Sequence, residues 1–368
     1  MNAWCITHAT INLIILSVAT VTEIIYGVIN FRDLAQAVDG FCPASSKFVA
    51  AAKILFLLMR RRRVQKCLDT LLNLYLSESD EKNIAINVRV SQYSRYITSC
   101  LVVFTNATAS TYFAIPIVKF LWAYSTATEY IKQLPYTSAL PYDPYKSPMY
   151  EMTYIFLGYS GYLTCFSIVG LDGLFIGLCL YISGQFEIIQ SDINNLVDRE
   201  IASSASGTEE FTKEQNDLIY RHLRSCVRRQ IDTIKLCEDM VDIFKPNVLL
   251  HFISAAIVLC LSSINIILSS GLNVFLYINY DAAVITQLFV YSIGGSFIST
   301  ASSKICESAY FFEWYKSNED VRRLLIMVMM RAQRESGVFV PFFQSCLPTF
   351  AKIMKTTGSY VAFLHTFL

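Results

Sequence analysis

Apolar residues occur along this chain in blocks of about twenty, separated by shorter polar or charged stretches. A helix of that length, rising about 1.5 Å per residue, crosses the roughly 30 Å hydrocarbon layer of a bilayer. The blocks lack the strict alternation that half-buried strands show. We therefore predict an all-α membrane protein with seven spanning helices, at about residues 9–30, 41–59, 97–124, 151–182, 247–270, 274–301 and 341–368.

Several helices are expected to continue past the membrane as amphipathic, charged segments. The fourth span continues to about residue 200, residues 216–245 lead into the fifth span, and residues 302–336 follow the sixth. A Ser- and Gly-containing stretch at 201–215 predicts a flexible loop, and Pro341 is expected to open the last helix. We expect five segments: spans one to four in 1–200, a cytoplasmic loop and anchor helix in 201–246, spans five and six in 247–301, cytoplasmic anchor helices in 302–340, and a last helix in 341–368.

Two stretches are predicted to be exterior loops. The longer is 125–150, where Pro135, Pro141, Pro144 and Pro148 disfavour helix and its tyrosines suit a lid at the membrane interface. The shorter follows the first span and contains Cys42. We expect both loops to lie on the same side of the bilayer.

The distribution of positive charge predicts the orientation. The second, fourth and sixth junctions, 59–98, 185–230 and 300–340, hold 8, 6 and 6 Lys or Arg, against 2, 2 and 0 in the other three. The run Arg60 to Arg63 directly abuts the second span. Because cytoplasmic loops carry the excess of Lys and Arg, the amino terminus is expected inside and the carboxyl terminus outside, opposite to a G-protein-coupled receptor.

Composition excludes several function classes. Hydrophobic residues make up 54% of the 368 residues and charged residues only 16%, and the net charge of +1 offers nothing to a nucleic acid. The eleven cysteines lie mostly inside apolar blocks and form no disulfide or zinc pattern. The scattered histidines give no catalytic or metal spacing, so we expect no enzyme, no metal and no cofactor.

A single carboxylate, Glu23, interrupts the first span. A charge at that depth is costly unless it has a partner, and Lys53 of the second span is a possible one. The alternative is a glutamate that faces other helices of the bundle without a channel role.

The last thirty residues combine an apolar helix with a polar stripe. Lys352, Lys355, Ser359 and Thr366 recur at helical spacings, with Phe363 on the same line. Such a stripe must face protein or water. Either the helix packs within a bundle, or it lines a pore in which Phe363 and Phe367 form a hydrophobic constriction.

Short motifs in the carboxyl half resemble one known family. These motifs are QLFVYSIGG at 287–295, Ala-Tyr at 309–310 with Trp-Tyr at 314–315, MMRAQ at 329–333, and Ser-Tyr at 359–360. Together they resemble the insect odorant receptor family, most strongly from about residue 285 onward.

The resemblance implies a tetramer of seven-helix subunits around one central pore, gated by a small volatile ligand and nonselective among cations. It implies an odour-tuning subunit that works with the shared olfactory co-receptor in the plasma membrane of a sensory dendrite. The long insertion of the co-receptor between helices four and five is not found here. Aligned on its Ser-Tyr, the family's pore and gate positions correspond to Ser359, Phe363, Thr366 and Phe367.

We expect the ligand pocket in the outer half of spans two, three, four and six. Such pockets are mostly apolar and aromatic with few polar groups. Candidates chosen by position are Phe113, Ile117, Tyr154, Leu157, Gly161, Tyr280 and Val284. Ordinary helix packing is the alternative role for each of them.

Three features depart from the family pattern. About eight residues precede the first span, fewer than the family's usual lead, so we expect a shortened amino terminus. Gly358 replaces the usual Tyr, and Lys352 and Lys355 place positive charge on the pore stripe. A gustatory receptor is the nearest alternative, although its Gln-Phe ending is missing, and a secondary transporter would require an internal repeat that is not visible.

Overall fold

The computed structural model describes residues 3–76, 78, 80–126, 132–196, 210–269 and 271–367, and these are almost entirely helical. The α-helices of this part of the chain are α1 (Ala3–Ile29), α2 (Leu34–Leu76), α3 (Glu81–Ser125), α4 (Met149–Asn194), α5 (Lys213–Leu268), α6 (Leu272–Phe311), α7 (Glu319–Gln333) and α8 (Leu347–Phe367). A 3-10 turn (Trp314–Lys316) precedes α7, and strands β1 (Phe339–Val340) and β2 (Phe343–Gln344) precede α8.

Six of the described helices, α1 to α6, are long and apolar enough to cross a bilayer. The seventh predicted span corresponds to α8, which has 21 residues and is interrupted by Lys352, Lys355 and a Thr-Thr-Gly-Ser run. A helix of that composition is stable at membrane depth when its polar side faces protein or water. The helical membrane fold predicted from the apolar blocks is confirmed.

The second helix starts earlier than predicted. Asp33 accepts from the backbone N–H groups of Ala35 and Gln36, so helix α2 begins at Leu34 and carries Pro43 inside it. Cys42 is therefore buried within a helix, and its assignment to an exterior loop was wrong. The prediction treated Pro43 as a break, although neighbouring helices can compensate for the missing backbone donor of a proline.

Helices α3 and α5 also extend further than their apolar blocks. Asp80 caps α3, and its side chain accepts from the backbone N–H of Lys82 at 3.0 Å. A capping box of Thr212 and Gln215 starts α5, which runs through Pro246 without a break. Most of the predicted loop 201–215 lies outside the described residues, at 201–209.

Pro341 does not open the last helix. It lies in the turn of a short antiparallel hairpin, in which Phe339 pairs with Gln344 and Val340 with Phe343. Phe342 takes a positive φ of 79°, as the third residue of a tight turn with proline second can require. Helix α8 consequently starts six residues later, at Leu347.

The described helices pack around α4, which lies between α3 and α6. The inner halves of α4 and α5 are densely packed, and α7 adds Val321, Leu325 and Val328 to the same core. Arg229 of α5 pairs there with Glu78 at 2.5 Å and with Asp192 at 3.5 Å. Burial alone would raise the pKa of Glu78, but hydrogen bonds from Arg229 and Asn83 outweigh it and hold that pKa below its ordinary value.

Candidate functional site

Two neighbouring cavities lie between α2, α3 and α6 at the end of the bundle that carries the proline-rich loop. The outer cavity, of about 540 Å³, is open and is lined by Asp39, Lys119, Asn273 and loop residues 132–137. The inner cavity, of about 60 Å³, lies deeper and also borders α4. A single water needs about 10–15 Å³ of such space, so the inner cavity holds a few waters or part of a small molecule.

Two stacked tyrosines separate the cavities. The rings of Tyr112 and Tyr136 are 4.8 Å apart with an interplanar angle of 23°, and both residues line both cavities. Tyr280 meets Tyr112 edge-on at 6.3 Å. A Cβ at Gly161 would collide with the Tyr136 ring, so the glycine makes room for the loop tyrosine inside the bundle. Burial raises the pKa of Tyr136 well above its ordinary value, so the phenol stays neutral.

A lysine forms part of the inner cavity wall. Lys47 bonds to Glu23 of α1, and its ammonium lies 3.7 Å from the centre of the Tyr136 ring. Lys53, named above as a possible partner of Glu23, instead bonds to Asp172 of α4 at 2.6 Å. The possible pairing was wrong because Lys53 lies about 9 Å further along α2 than the level at which Glu23 meets it.

Of the predicted pocket residues, Gly161, Tyr280 and Val284 line the inner cavity. Phe113 and Tyr154 pack against each other at 5.2 Å beside it, and the Tyr154 hydroxyl donates to the Phe113 carbonyl at 2.5 Å.

Two further pocket candidates lie away from the cavities. Leu157 is fully buried in the core, and Ile117 is 41% exposed on the surface of the bundle. Whether any of the seven candidates contacts a ligand stays a prediction.

Three further residues of the inner cavity, Lys47, Tyr112 and Tyr136, were not predicted from the sequence. Tyr112 directly precedes the chosen Phe113, and one residue turns a helix by about 100°. Tyr136 was assigned to a lid, whereas the loop carries it inward to 8% exposure. The charge of Lys47 inside an apolar helix was the available signal for a cavity or an ion pair.

One face of α6 connects the inner cavity to the base of α8. Tyr280, Val284, Gln287 and Tyr291 follow at spacings of four, three and four residues, which places them on one side of the helix. The first three line the cavity. The Tyr291 hydroxyl donates to Asp172 at 2.6 Å, and its ring stacks on His251 at 4.7 Å.

The segment before α8 is bonded directly to α6. The Ser345 hydroxyl donates to the Tyr291 carbonyl at 2.9 Å, and the Leu347 N–H donates to the Ser296 hydroxyl at 2.9 Å. The Ser345 carbonyl approaches so close to Gly295 that a Cβ there would overlap it. These contacts attach the start of α8 to the helix that borders the inner cavity.

The polar stripe of α8 faces away from the rest of the described chain. Lys352, Lys355, Ser359 and Thr366 are exposed, and Phe363 is 58% exposed. The opposite side packs on the core through Phe350, Ile353 and Met354. Phe367 ends the helix, and its side chain lies outside the described residues. The pore and gate assignment of these residues stays a prediction.

The described residues contain no group of three or more His, Cys, Asp or Glu that could hold a metal ion. The ten cysteines whose side chains are described, those from Cys42 onward, all have free thiols. The polar chemistry at the inner cavity therefore consists of hydroxyls, one amide, one thiol and the lysine ion pair, and the outer cavity adds Asp39, Lys119 and Lys132.

Comparison with known proteins identifies the family. Residues 33–358 match the model of the family described as 7tm odorant receptor. Odorant receptor 22c of Drosophila melanogaster is 32% identical over 354 residues, which cover 95% of this chain and 87% of that protein. Odorant receptor 24a of the same organism is 26% identical, with 95% and 87% covered.

The fold is that of a solved insect receptor. The structure of the insect olfactory receptor OR5 from Machilis hrabei superposes with a TM-score of 0.80 at 13% identity, covering 99% of this chain and 90% of that one. The same receptor in complex with eugenol gives a TM-score of 0.79 at 14% identity, with 98% and 88% covered. The resemblance found in the short carboxyl-half motifs is confirmed, and this chain belongs to the 7tm odorant receptor family, as a multi-pass membrane receptor and not an enzyme.

Proposed function

We propose that this chain is the odour-tuning subunit of a ligand-gated, nonselective cation channel. It assembles with the olfactory co-receptor as a tetramer in the plasma membrane of a sensory dendrite. The observation that carries the proposal is the inner cavity, which borders α2, α3, α4 and α6 and is linked along α6 to the base of α8. Family membership and a fold shared with a receptor solved in complex with eugenol support it.

The ligand is a small volatile molecule that enters through the outer cavity. It passes the stacked pair of Tyr112 and Tyr136 and occupies the inner cavity, where Gly161, Tyr280 and Val284 contact it. The described cavity is small, so binding requires the tyrosine rings to turn aside. A ligand binds only the arrangement in which the rings are turned aside. It therefore shifts the population toward that arrangement, in which α6 packs differently.

Gating follows from the attachment of α8 to α6. A shift of α6 at Tyr291 moves Ser345 and hence the start of α8. Phe363 and Phe367 then separate from their counterparts in the other subunits, and the hydrophobic constriction between them fills with water. The ligand biases this equilibrium only by the difference between its affinities for the open and closed states.

The two lysines of α8 lie outside the narrow part of the cation path. Lys352 and Lys355 occupy the half of α8 nearer the hairpin, two to three turns before Phe363. At the cytoplasmic end of the pore their ammonium groups lie among headgroups and water. Their charge is therefore well solvated and does not block cations at the constriction.

The first test is whole-cell current in a heterologous cell against a broad panel of odorants. The chain is expressed alone, with the co-receptor, and the co-receptor is expressed alone as the control. Odour-evoked cation current that requires both chains is expected. Current in cells with this chain alone would contradict its role as an obligate partner, and no current with confirmed surface expression of both would contradict the channel role.

The gate assignment has its own test. Phe363→Ala removes the exposed ring from the stripe and is expected to raise the current without odorant. The constriction becomes wider and less apolar, so it fills with water more easily. Thr356→Ala, another exposed position of α8 whose hydroxyl bonds only to its own helix, is the control. Unchanged basal current in well-expressed Phe363→Ala channels would contradict the assignment.

A further inference from the structure

The ion pair of Lys47 and Glu23 is unusual because it forms part of a cavity wall. The side chains are 2% and 0% exposed, yet Lys47 lines the inner cavity. A buried ion pair is a weak contributor to stability, since the cost of removing both charges from water offsets most of their attraction. Stability therefore does not account for a charged pair in the cavity wall, and we assign it a second role besides joining α1 to α2.

The Lys47 ammonium retains hydrogen-bonding capacity. It carries three N–H donors, and among the described residues its one hydrogen bond is to Glu23 Oε1. The Tyr136 ring covers another side at 3.7 Å. This leaves at least one N–H that can point into the cavity.

Three other residues of the inner cavity, Tyr112, Tyr136 and Gln287, carry neutral donors, which bind an acceptor less strongly than an ammonium does. Several of the remaining polar groups already use their hydrogens. Thr164 and Cys165 donate to backbone carbonyls of Ser160 and Thr105. The Tyr280 hydroxyl contacts the Cys42 carbonyl at 2.8 Å and the Ser46 hydroxyl at 2.7 Å. These groups are satisfied by the protein, so they offer a ligand less than the lysine does.

We propose that Lys47 is the polar anchor of the ligand, donating a hydrogen bond to a neutral oxygen acceptor such as the carbonyl of a compact aldehyde or ketone. This deepens the proposed function, because it rests on the inner cavity being the ligand site. The tyrosine rings pack against the body of the ligand, and the lysine distinguishes a carbonyl compound from a hydrocarbon of the same shape.

The charges around the site favour a neutral acceptor over an ion. Glu23 already balances Lys47, and one of its oxygens, Oε2, is buried without a hydrogen-bond partner among the described residues. A carboxylate ligand would add a second negative charge beside that oxygen in a medium of low dielectric constant. An ammonium ligand would meet the positive charge of Lys47. A carbonyl oxygen accepts the free N–H without either repulsion.

The test uses pairs of compounds that differ by one group. Benzaldehyde is compared with styrene, and cyclohexanone with methylenecyclohexane, since in each pair CH₂ replaces the carbonyl oxygen. The full chain is purified with the co-receptor in lipid nanodiscs, and dissociation constants are measured by isothermal titration, with co-receptor-only nanodiscs as background. Benzoate and benzylamine complete the set.

The variants distinguish the loss of the Lys47 donor from damage to the fold. Lys47→Met removes every donor, and Glu23→Gln with Lys47→Met does so without stranding a buried carboxylate. Lys47→Arg keeps a charged donor. Lys119→Met is the matched control, since Lys119 lines the outer cavity but not the inner one.

In the natural chain we expect each carbonyl compound to bind at least about tenfold more tightly than its alkene. The ratio should fall to near one in Lys47→Met and in the double variant, and persist in Lys47→Arg and Lys119→Met. A ratio near one in the natural chain, including failure to bind the carbonyl compounds, would overturn the proposal, as would a ratio that survives Lys47→Met. Tighter binding of benzoate than of benzaldehyde would overturn the neutral acceptor.

The binding experiment tests the anchor, and the current experiment tests the channel function, so each can fail without the other. If odorants evoke current but the carbonyl preference is absent, the anchor is wrong and the channel function stands. If the preference is present and depends on Lys47 but no odorant evokes current with the co-receptor, the anchor stands and the channel function is wrong.

Discussion

Two buried ion pairs on α2 have the same chemistry and different surroundings. Lys47 with Glu23 borders the inner cavity, whereas Lys53 with Asp172 is enclosed by protein, with both side chains 0% exposed. We call Lys53–Asp172 the inner pair and Lys47–Glu23, which lies nearer the proline-rich loop, the outer pair. Asp172 also accepts from the Tyr291 hydroxyl, so the inner pair joins α2, α4 and α6 at one point. The outer pair is placed to meet a ligand, and the inner pair holds three helices together.

The side chains around the inner pair are packed closely, whereas those around the outer pair border a cavity. Beside the inner pair, Phe175 stacks on Tyr291 at 4.7 Å and meets Phe244 at 5.5 Å. Beside the outer pair, Tyr112 stacks on Tyr136 about as closely, at 4.8 Å, but Tyr280 meets Tyr112 only at 6.3 Å and the inner cavity of about 60 Å³ lies among these side chains. Close packing resists deformation, whereas side chains that border a cavity have space to rearrange at lower cost. In the proposed function, the outer half is therefore the part that changes when a ligand binds, and the inner half carries the change to α8.

The largest expected effect is at the inner pair. Lys53→Met leaves Asp172 charged and buried without its cation, which should destabilise the fold by about 3–5 kcal/mol and abolish surface expression. Lys53→Met with Asp172→Asn removes both charges and should restore much of the stability. Thermal unfolding of the detergent-solubilised receptor measures both. Equal losses in the single and double variants would contradict the ion-pair account.

A smaller loss of stability is expected at the outer pair. Lys47→Met also strands a carboxylate, Glu23, which is fully buried and does not itself line the cavity. Because the removed ammonium lies between Glu23 and the inner cavity wall, we expect water to reach the carboxylate from there and the loss to be roughly 1–3 kcal/mol. The same unfolding experiment, run beside Lys53→Met, tests the order of the two effects. A Lys47→Met variant that is less stable than Lys53→Met would contradict the contrast between the two regions.

Gly161→Ala sharpens the contrast within the outer half. The added methyl must displace the Tyr136 ring, at a cost of about 1–3 kcal/mol, and odorant potency should fall by about tenfold or more. Gly170→Ala on the same helix is the control, since nothing lies within 4 Å of its added Cβ. Concentration–response curves with the co-receptor measure both. Equal potency in the two variants would show that Tyr136 does not shape the site.

The smallest effect is expected at the link between α6 and α8. Ser345→Ala deletes the hydrogen bond to the Tyr291 carbonyl, worth about 0.5–1.5 kcal/mol. Because that bond couples the helices rather than contacting the ligand, we expect a lower maximal current with unchanged ligand affinity. Saturating odorant responses and binding curves on the same variant separate the two quantities. A changed affinity with a normal maximal current would place Ser345 in the ligand site instead.

Much of the fold was predictable because apolar blocks of span length are a local property of the sequence. The spans and their helical continuations beyond the apolar blocks were recognised in this way. The first residues of the helices were harder to predict, because capping residues such as Asp33 and Asp80 lie outside the apolar blocks. The position of Pro341 in a hairpin depends on Ser345 meeting α6, a contact distant in sequence.

The site was less predictable than the fold. Gly161, Tyr280 and Val284 were found from depth in the membrane alone, but depth does not give the rotation of a helix, so Phe113 was chosen instead of Tyr112. Tyr136 reaches the cavity from a loop, and its inward path depends on the room left by Gly161. The pairing of Glu23 required the relative level of α1 and α2, which neither helix encodes alone.

The central claim, that the inner cavity is the odorant site, can be tested at a native residue. Cys165 lines the inner cavity, and Cys100, also partly buried, lines neither cavity. The measurement is the rate of N-ethylmaleimide modification at each cysteine, read by mass spectrometry, with and without the most potent odorant of the panel. The account predicts that the odorant slows modification of Cys165 in proportion to occupancy and leaves Cys100 unchanged. Equal rates at Cys165 with and without an odorant that still evokes current would contradict it.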